Sequence, residues 1–66
     1  MIILFSTGCS RCKILKDTLD QKGIDYIENT DIDEMIKIGI TAVPILKVDD
    51  TMYDFNDALM YIKSNY

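Results

Sequence analysis

The sequence contains no histidine. That absence removes the imidazole base of Ser-His-Asp and Cys-His hydrolases, and with it the nitrogen ligand of most zinc sites. Positive charge is also scarce: 7 Lys and Arg stand against 11 Asp and Glu, for a net charge of −4. An acidic chain has no broad basic face to neutralise phosphates, so nucleic acid is not an expected partner. No stretch approaches the roughly 20 apolar residues needed to span a bilayer. No basic leader precedes the apolar run Met1-Ile2-Ile3-Leu4-Phe5, so the start does not read as a signal peptide. The expectation is a cytoplasmic protein with no membrane partner. Length is short too. The 66 residues make one domain, spanning 1-66. A chain of this size buries only about 60% of its unfolded surface. It has no room for an enclosed cofactor pocket, although 48% hydrophobic residues suffice for one small core. Any active site must lie at the surface, on loops and helix ends.

Against these absences stand the only two cysteines, Cys9 and Cys12, in the run Thr7-Gly8-Cys9-Ser10-Arg11-Cys12-Lys13. They follow an apolar strand-like run and open a helix-like segment. Two thiols at this spacing can close a disulfide over the first helical turn, or attack another disulfide when reduced. Cysteines in a cytoplasmic chain are more often catalytic or metal-binding than structural. Three readings stay open at this point. The pair is a redox dithiol, half of a zinc or iron–sulfur site completed by a second chain, or a stabilising disulfide. A tetrahedral zinc site wants four ligands, and this chain offers two thiolates without histidine. A bridge over three residues closes so small a loop that it gains little chain entropy.

The order of elements reads β-α-β-α-β-β-α. Met1 to Phe5 forms a strand covered on both faces. Ser10 to about Lys22 suits a helix, with Cys12, Ile14, Leu15 and Leu19 inward and Arg11, Lys13, Lys16, Asp17 and Asp20 outward. Gly23 stands where a helix C-terminal glycine belongs. Ile24 to Glu28 reads as a second strand, parallel to the first across a right-handed crossover. Asp31 and Glu34 have capping-box spacing. They open a short helix with Ile32, Met35 and Ile36 as its apolar stripe, closed by Gly39. Val43 to Val48 is a strand that begins at Pro44, and Asp49-Asp50 turns it into a fourth strand, Thr51 to Tyr53. Phe55, Ala58, Leu59, Ile62 and Tyr66 follow helical periodicity, with Asp54 as N-cap. Tyr26, Phe55, Met60 and Tyr61 are expected in or half in the core, and Phe5 and Tyr53 are expected to pack. The fold class is α/β, a four-stranded mixed sheet flanked by helices. Arg11, Lys13 and Lys16 fall close to the cysteines and suggest a small positive patch.

This order, with Cys-x-x-Cys after the first strand and Val43-Pro44 about thirty residues on, resembles the thioredoxin fold. At this length the chain looks most like a glutaredoxin-type protein, or a glutaredoxin-like redoxin that feeds electrons to ribonucleotide reductase. The resemblance covers the whole chain. It implies a thiol-disulfide oxidoreductase that acts on protein disulfides. It also implies a cis peptide bond before Pro44, lying against the cysteines. The implied substrate contacts are Gly8, Ser10, Arg11, Ala42, Val43 and Pro44. The backbone of Val43 would be free to pair with an extended substrate segment. Asp57 matches an aspartate of the family. Other positions depart from the pattern. The family's Gly-Gly before the last helix, which receives the glutathione carboxylate, is Asp54-Phe55 here. Ser6 replaces a basic residue, and Ala42 replaces Thr or Ser. Cys-Ser-Arg-Cys matches neither the glutaredoxin nor the thioredoxin motif, and the thioredoxin tryptophan is absent. No tightly bound cofactor or metal is implied. Reducing equivalents would come from a thioredoxin-reductase-like donor or glutathione, and the loss of Gly-Gly favours the former. The expected state is a monomer.

Cys9, at the expected N-cap of the first helix, would meet unpaired N–H groups and the positive end of the helix dipole. It is therefore expected to be the exposed, low-pKa attacking thiol. Arg11 and Lys13 would add positive potential. Cys12, one turn in and partly buried, would be the resolving thiol with the higher pKa. A redox-sensing module that never turns over is the competing reading from another class.

Overall fold

A computed structural model describes all 66 residues. Its elements are β1 (Ile2–Phe5), α1 (Ser10–Gln21), β2 (Ile27–Asn29), α2 (Ile32–Lys37), β3 (Ile45–Val48), β4 (Thr51–Tyr53) and α3 (Phe55–Asn65). They form a mixed α/β fold in the order expected from the sequence. The four-stranded sheet is open and runs β2-β1-β3-β4. β1 pairs in parallel with β2 and antiparallel with β3, and β3 pairs antiparallel with β4. No helix is long and apolar enough to cross a membrane.

Side chains alternate across β1, and the core divides accordingly. Leu4 and its register partner Leu46 are wholly buried with Leu15 and Leu19 of α1 and Ala58 and Ile62 of α3. Phe5 turns to the other face and meets Met35 of α2 and Ile40. α1 and α3 thus share one face of the sheet, and α2 covers part of the other. The end of β1, which leads into the cysteine loop, is clamped between both clusters.

Both crossover helices end in the same device. The N–H of Gly23 donates to the Asp20 carbonyl, and that of Ile24 donates to the Leu19 carbonyl. After α2, Gly39 donates to Ile36 and Ile40 donates to Met35. This is a Schellman closure, which needs a left-handed residue at the turn; Gly23 and Gly39 supply it with φ of 67° and 88°. In each closure the residue after the glycine packs in the same cluster as the helical residue it bonds: Ile24 with Leu19, Ile40 with Met35.

These closures explain where the structure departs from the sequence reading. The second strand starts at Ile27, not Ile24, because the amide of Ile24 is already used to end α1. The third strand starts at Ile45 rather than at Val43. Ile14 is half exposed, since only Cys12, Leu15 and Leu19 fall on the side of α1 that meets the sheet and α3. Of the stripe expected on α2, Met35 alone is buried, while Ile32 and Ile36 are 56% and 67% exposed. A six-residue helix has one turn facing the sheet and no second layer above it. Met60 and Tyr66 lie at the surface rather than in the core, although Tyr66 stands edge-on to Tyr61. The caps hold as expected. Asp31 accepts the Glu34 N–H at 3.2 Å, and Asp54 accepts the Asp57 N–H at 2.8 Å.

Burial of this kind sets a stability contrast between neighbouring residues. Leu15→Ala is expected to cost about 2–5 kcal/mol, a large part of the stability of so small a domain. Ile14→Ala is expected to stay within about 0.5 kcal/mol, as an exposed apolar residue on a helix. Urea unfolding of the two variants measures the difference, and equal losses would contradict the packing described.

Candidate functional site

Gly8, exposed with Thr7 in the bend after β1, turns the chain toward α1. Cys9 is the N-cap of α1, with the extended backbone (φ −69°, ψ 170°) that the position requires. Its sulfur accepts the backbone N–H of Cys12 at 3.2 Å. An oxygen from Ser, Thr, Asp or Asn normally fills this role; here a sulfur does. Cys9 is half exposed, and Cys12 is 2% exposed. Both are free thiols. No cluster of three or more Cys, Asp and Glu side chains converges here or elsewhere in the fold.

The thiol of Cys9 is held below its ordinary pKa. The largest cause is a hydrogen bond from the Cys12 side chain, and the backbone amides of Cys12, Arg11 and Cys9 itself add to it. Partial desolvation opposes the shift. The donors that steady the anion therefore all come from the first turn of α1. Two of the three cations expected in a positive patch, Arg11 and Lys16, have partners elsewhere. The Arg11 guanidinium lies over the Phe55 ring, 5.6 Å from its centroid. Lys16 pairs with Glu28 at 3.3 Å, on the side of β2. Positions 11 and 16 of one helix point in widely different directions, so their charges do not pool. Arg11 lowers the Cys9 pKa through its backbone N–H.

Glu28 belongs to a second small network. Ser6, buried where β1 ends, donates its hydroxyl to Glu28 at 2.9 Å, and its amide donates to the Asn29 carbonyl. The Ser6 hydroxyl, and then Lys16, hold the Glu28 carboxyl below its usual range. This network ties β1, β2 and α1 together three residues before Cys9.

Across from the thiol loop runs the segment Thr41-Ala42-Val43-Pro44. The Val43–Pro44 peptide bond is cis, as the resemblance implies. Thr41, Ala42 and Val43 lie outside every helix and strand, and none of them makes a backbone hydrogen bond. Pro44 is buried, whereas Ala42 is exposed. Two grooves flank this segment. The larger, about 390 Å³, is apolar and runs from Thr7 past Ala42 and Val43 to Ile32, Met35 and Ile36 of α2. The smaller, about 140 Å³, is lined by Arg11, Pro44, Ile45, Asp54, Phe55 and Asn56, with Ala42 and Val43 as the shared wall.

Of the expected contacts, Arg11, Ala42, Val43 and Pro44 therefore meet around one groove. Gly8 and Ser10 flank Cys9 on the exposed surface and line neither groove. The apolar groove was not foreseen, because Ile32 and Ile36 read as core. The signal was present: Ile32, Ile36 and Ile38 crowd a helix too short to bury them all. Asn56 had no sequence signal. Tyr53 lies with Tyr61, their rings 5.0 Å apart, away from both grooves, and Phe5 is in the core.

No known family model matches the chain, and no curated protein matches it in sequence.

A lowered thiol pKa has a fixed sign in both reactivity and stability. Cys9 should be alkylated by iodoacetamide at pH 7 faster than a model thiol with a pKa of about 8.5, and its pH–rate midpoint should fall below that value, while buried Cys12 reacts slowly. The folded state favours the thiolate, so its stabilising effect is complete above the unfolded pKa and fades as pH drops through the folded one. Reduced protein should therefore gain stability over Cys9→Ser, which keeps a capping oxygen but no charge, as pH rises toward about 8.5. Thermal melts across that range measure it. A flat difference would contradict the anion at the cap.

Proposed function

We propose that this chain is a small dithiol–disulfide oxidoreductase of thioredoxin-like, glutaredoxin-type fold. It carries electrons to disulfides of other proteins. The observation that carries the reading is the capping sulfur of Cys9, which accepts the Cys12 amide at 3.2 Å, with Cys12 buried one turn deeper. The sheet order, the final hairpin and helix, and the cis bond before Pro44 support the fold assignment.

The steps balance on these two sulfurs. The Cys9 thiolate attacks one sulfur of a substrate disulfide. A Cys9–substrate disulfide forms, and the substrate's other sulfur leaves as a thiolate that takes up a proton. Cys12 then gives up its proton and attacks the Cys9 sulfur. A Cys9–Cys12 disulfide forms, and the second substrate thiol is released. Two electrons and two protons have passed to the substrate. A reductase with its own dithiol, or glutathione, restores the pair.

Protein clients suit the surroundings better than small molecules do. The unbonded backbone of Thr41 to Val43 can accept an extended segment as a short added strand. The apolar groove beside it offers room for a client's apolar side chain. Ribonucleotide reductase is a client class suggested by the resemblance. The proposed setting is the cytoplasm.

Single-residue variants separate the two thiols. Cys9→Ser should lose disulfide reduction by at least about a hundredfold, as expected for removal of a nucleophile. Cys12→Ser should attack once and stall as a mixed disulfide, seen by non-reducing mass spectrometry. Full turnover by Cys9→Ser, or no trapped adduct with Cys12→Ser, would overturn the assignment. Insulin reduction coupled to NADPH through each donor system in turn identifies the electron source.

A further inference from the structure

The small groove at Pro44, which takes Arg11 of the first turn of α1 as one wall, carries charge of both signs. Arg11 stands on one side, and the start of α3 stands on the other. The start of a helix leaves N–H groups unpaired and carries the positive end of the dipole, so a bare one would draw a carboxylate. In this chain the place is taken. The Asp54 carboxylate accepts the Asp57 N–H at 2.8 Å, and the Asp57 carboxylate adds a second negative charge in the same turn. Asp54 is exposed and forms no ion pair, because the fold's two salt bridges lie elsewhere. Arg11 does not neutralise it: its guanidinium is held over the Phe55 ring.

We propose that Asp54 is a specificity-determining residue, which makes this groove favour disulfides with a cationic group near the sulfur over those with an anionic one. The inference rests on the redox reading above and adds to it the charge class of the substrate. An arriving carboxylate meets a like charge, and the amide it would have used is occupied. An arriving ammonium or guanidinium meets an unpaired carboxylate. Arg11 and the helix dipole oppose this preference, so the effect is several-fold rather than absolute. Because Asp54 is exposed, salt should weaken it; the screening length falls from about 30 Å at 0.01 M to about 8 Å at 0.15 M.

Two small disulfides of similar size test it: cystamine, with two ammonium groups, and 3,3′-dithiodipropionate, with two carboxylates. The measurement is the single-turnover rate of their reduction by the fully reduced chain at 0.01 M ionic strength. The quantity of interest is the ratio of the two rates, compared between proteins, so that the thiolate's own preference for cations cancels. Asp54→Asn keeps a capping oxygen and removes the charge. It should lower the cystamine-to-dithiodipropionate ratio by about three- to fivefold, the size expected of one exposed charge at close range. Asp54→Ser, a second neutral cap, should do the same. Asp50→Asn, in the β3–β4 turn, should leave the ratio unchanged. The difference should shrink at 0.15 M salt. Reduction of both disulfides with the same ratio in wild type and both Asp54 variants would overturn this inference alone. So would an equal shift from Asp50→Asn, since net charge would then suffice. Failure of the wild type to reduce either disulfide would overturn the redox reading, and this inference with it.

Discussion

One hydrogen bond holds the candidate site together: the Cys12 amide donating to the Cys9 sulfur at 3.2 Å. It answers two needs at once. The first turn of α1 has amides without intrahelical partners, and the thiol needs donors if it is to be an anion at neutral pH. A side-chain oxygen would satisfy the first need and leave the chain without a nucleophile of comparable reactivity. Because the same contact caps the helix and steadies the charge, the position of Cys9 cannot drift without loss to both. The proposed order of the thiols follows from their exposure. The residue at the cap is exposed, and the residue three later faces the sheet.

The rest of the fold serves to bring a second surface up to that cap. β1 delivers the chain to Cys9, and β3, its antiparallel neighbour, begins directly after Pro44. Phe5 and Ile45 are register partners on adjacent strands, so the loop after β1 and the segment before β3 must emerge at the same end of the sheet. Thr7 and Arg11, on either side of the thiol loop, accordingly share groove walls with Val43. α2 and the start of α3 then wall the two grooves. The closures at Gly23 and Gly39 matter to the site for this reason. They decide where the helices stop and hence where β2 and the Thr41–Pro44 segment begin.

Legibility in the sequence followed how local the physics was. The cap of α3 at Asp54, its buried residues Ala58 and Ile62, and the glycine after α1 are decided within a few residues, and they read correctly. The start of β2 did not read correctly. Ile24 has the character of a strand residue, but its amide bonds back to Leu19, and no propensity records that competition. Ile32 and Ile36 looked like core because periodicity cannot see whether a neighbouring layer exists. The cysteine pair was legible from its spacing and its place at a strand–helix junction. The source of its low pKa was only half legible. Proximity in sequence suggested that Arg11 and Lys13 act on the thiol within a patch shared with Lys16, whereas Arg11 and Lys16 are each drawn to a partner from another part of the chain, Phe55 and Glu28.

That diversion of charge bears on the electron-donating role proposed for the pair. Lowering a thiol's pKa makes more thiolate, but it also stabilises the reduced protein and weakens each thiolate as a nucleophile, so the best attacking thiol has a pKa near the ambient pH. In the proposed role, a carrier that gives electrons away would gain nothing from an over-stabilised anion. The donor at the Cys9 sulfur is a backbone amide of the helix itself. A guanidinium resting on Cys9 would have added a full charge and pushed the pair toward oxidant behaviour. The Phe55 ring holds the Arg11 guanidinium at the small groove. The cation–π contact thus separates two properties that the sequence places two residues apart: the reactivity of Cys9 and the charge of its surroundings.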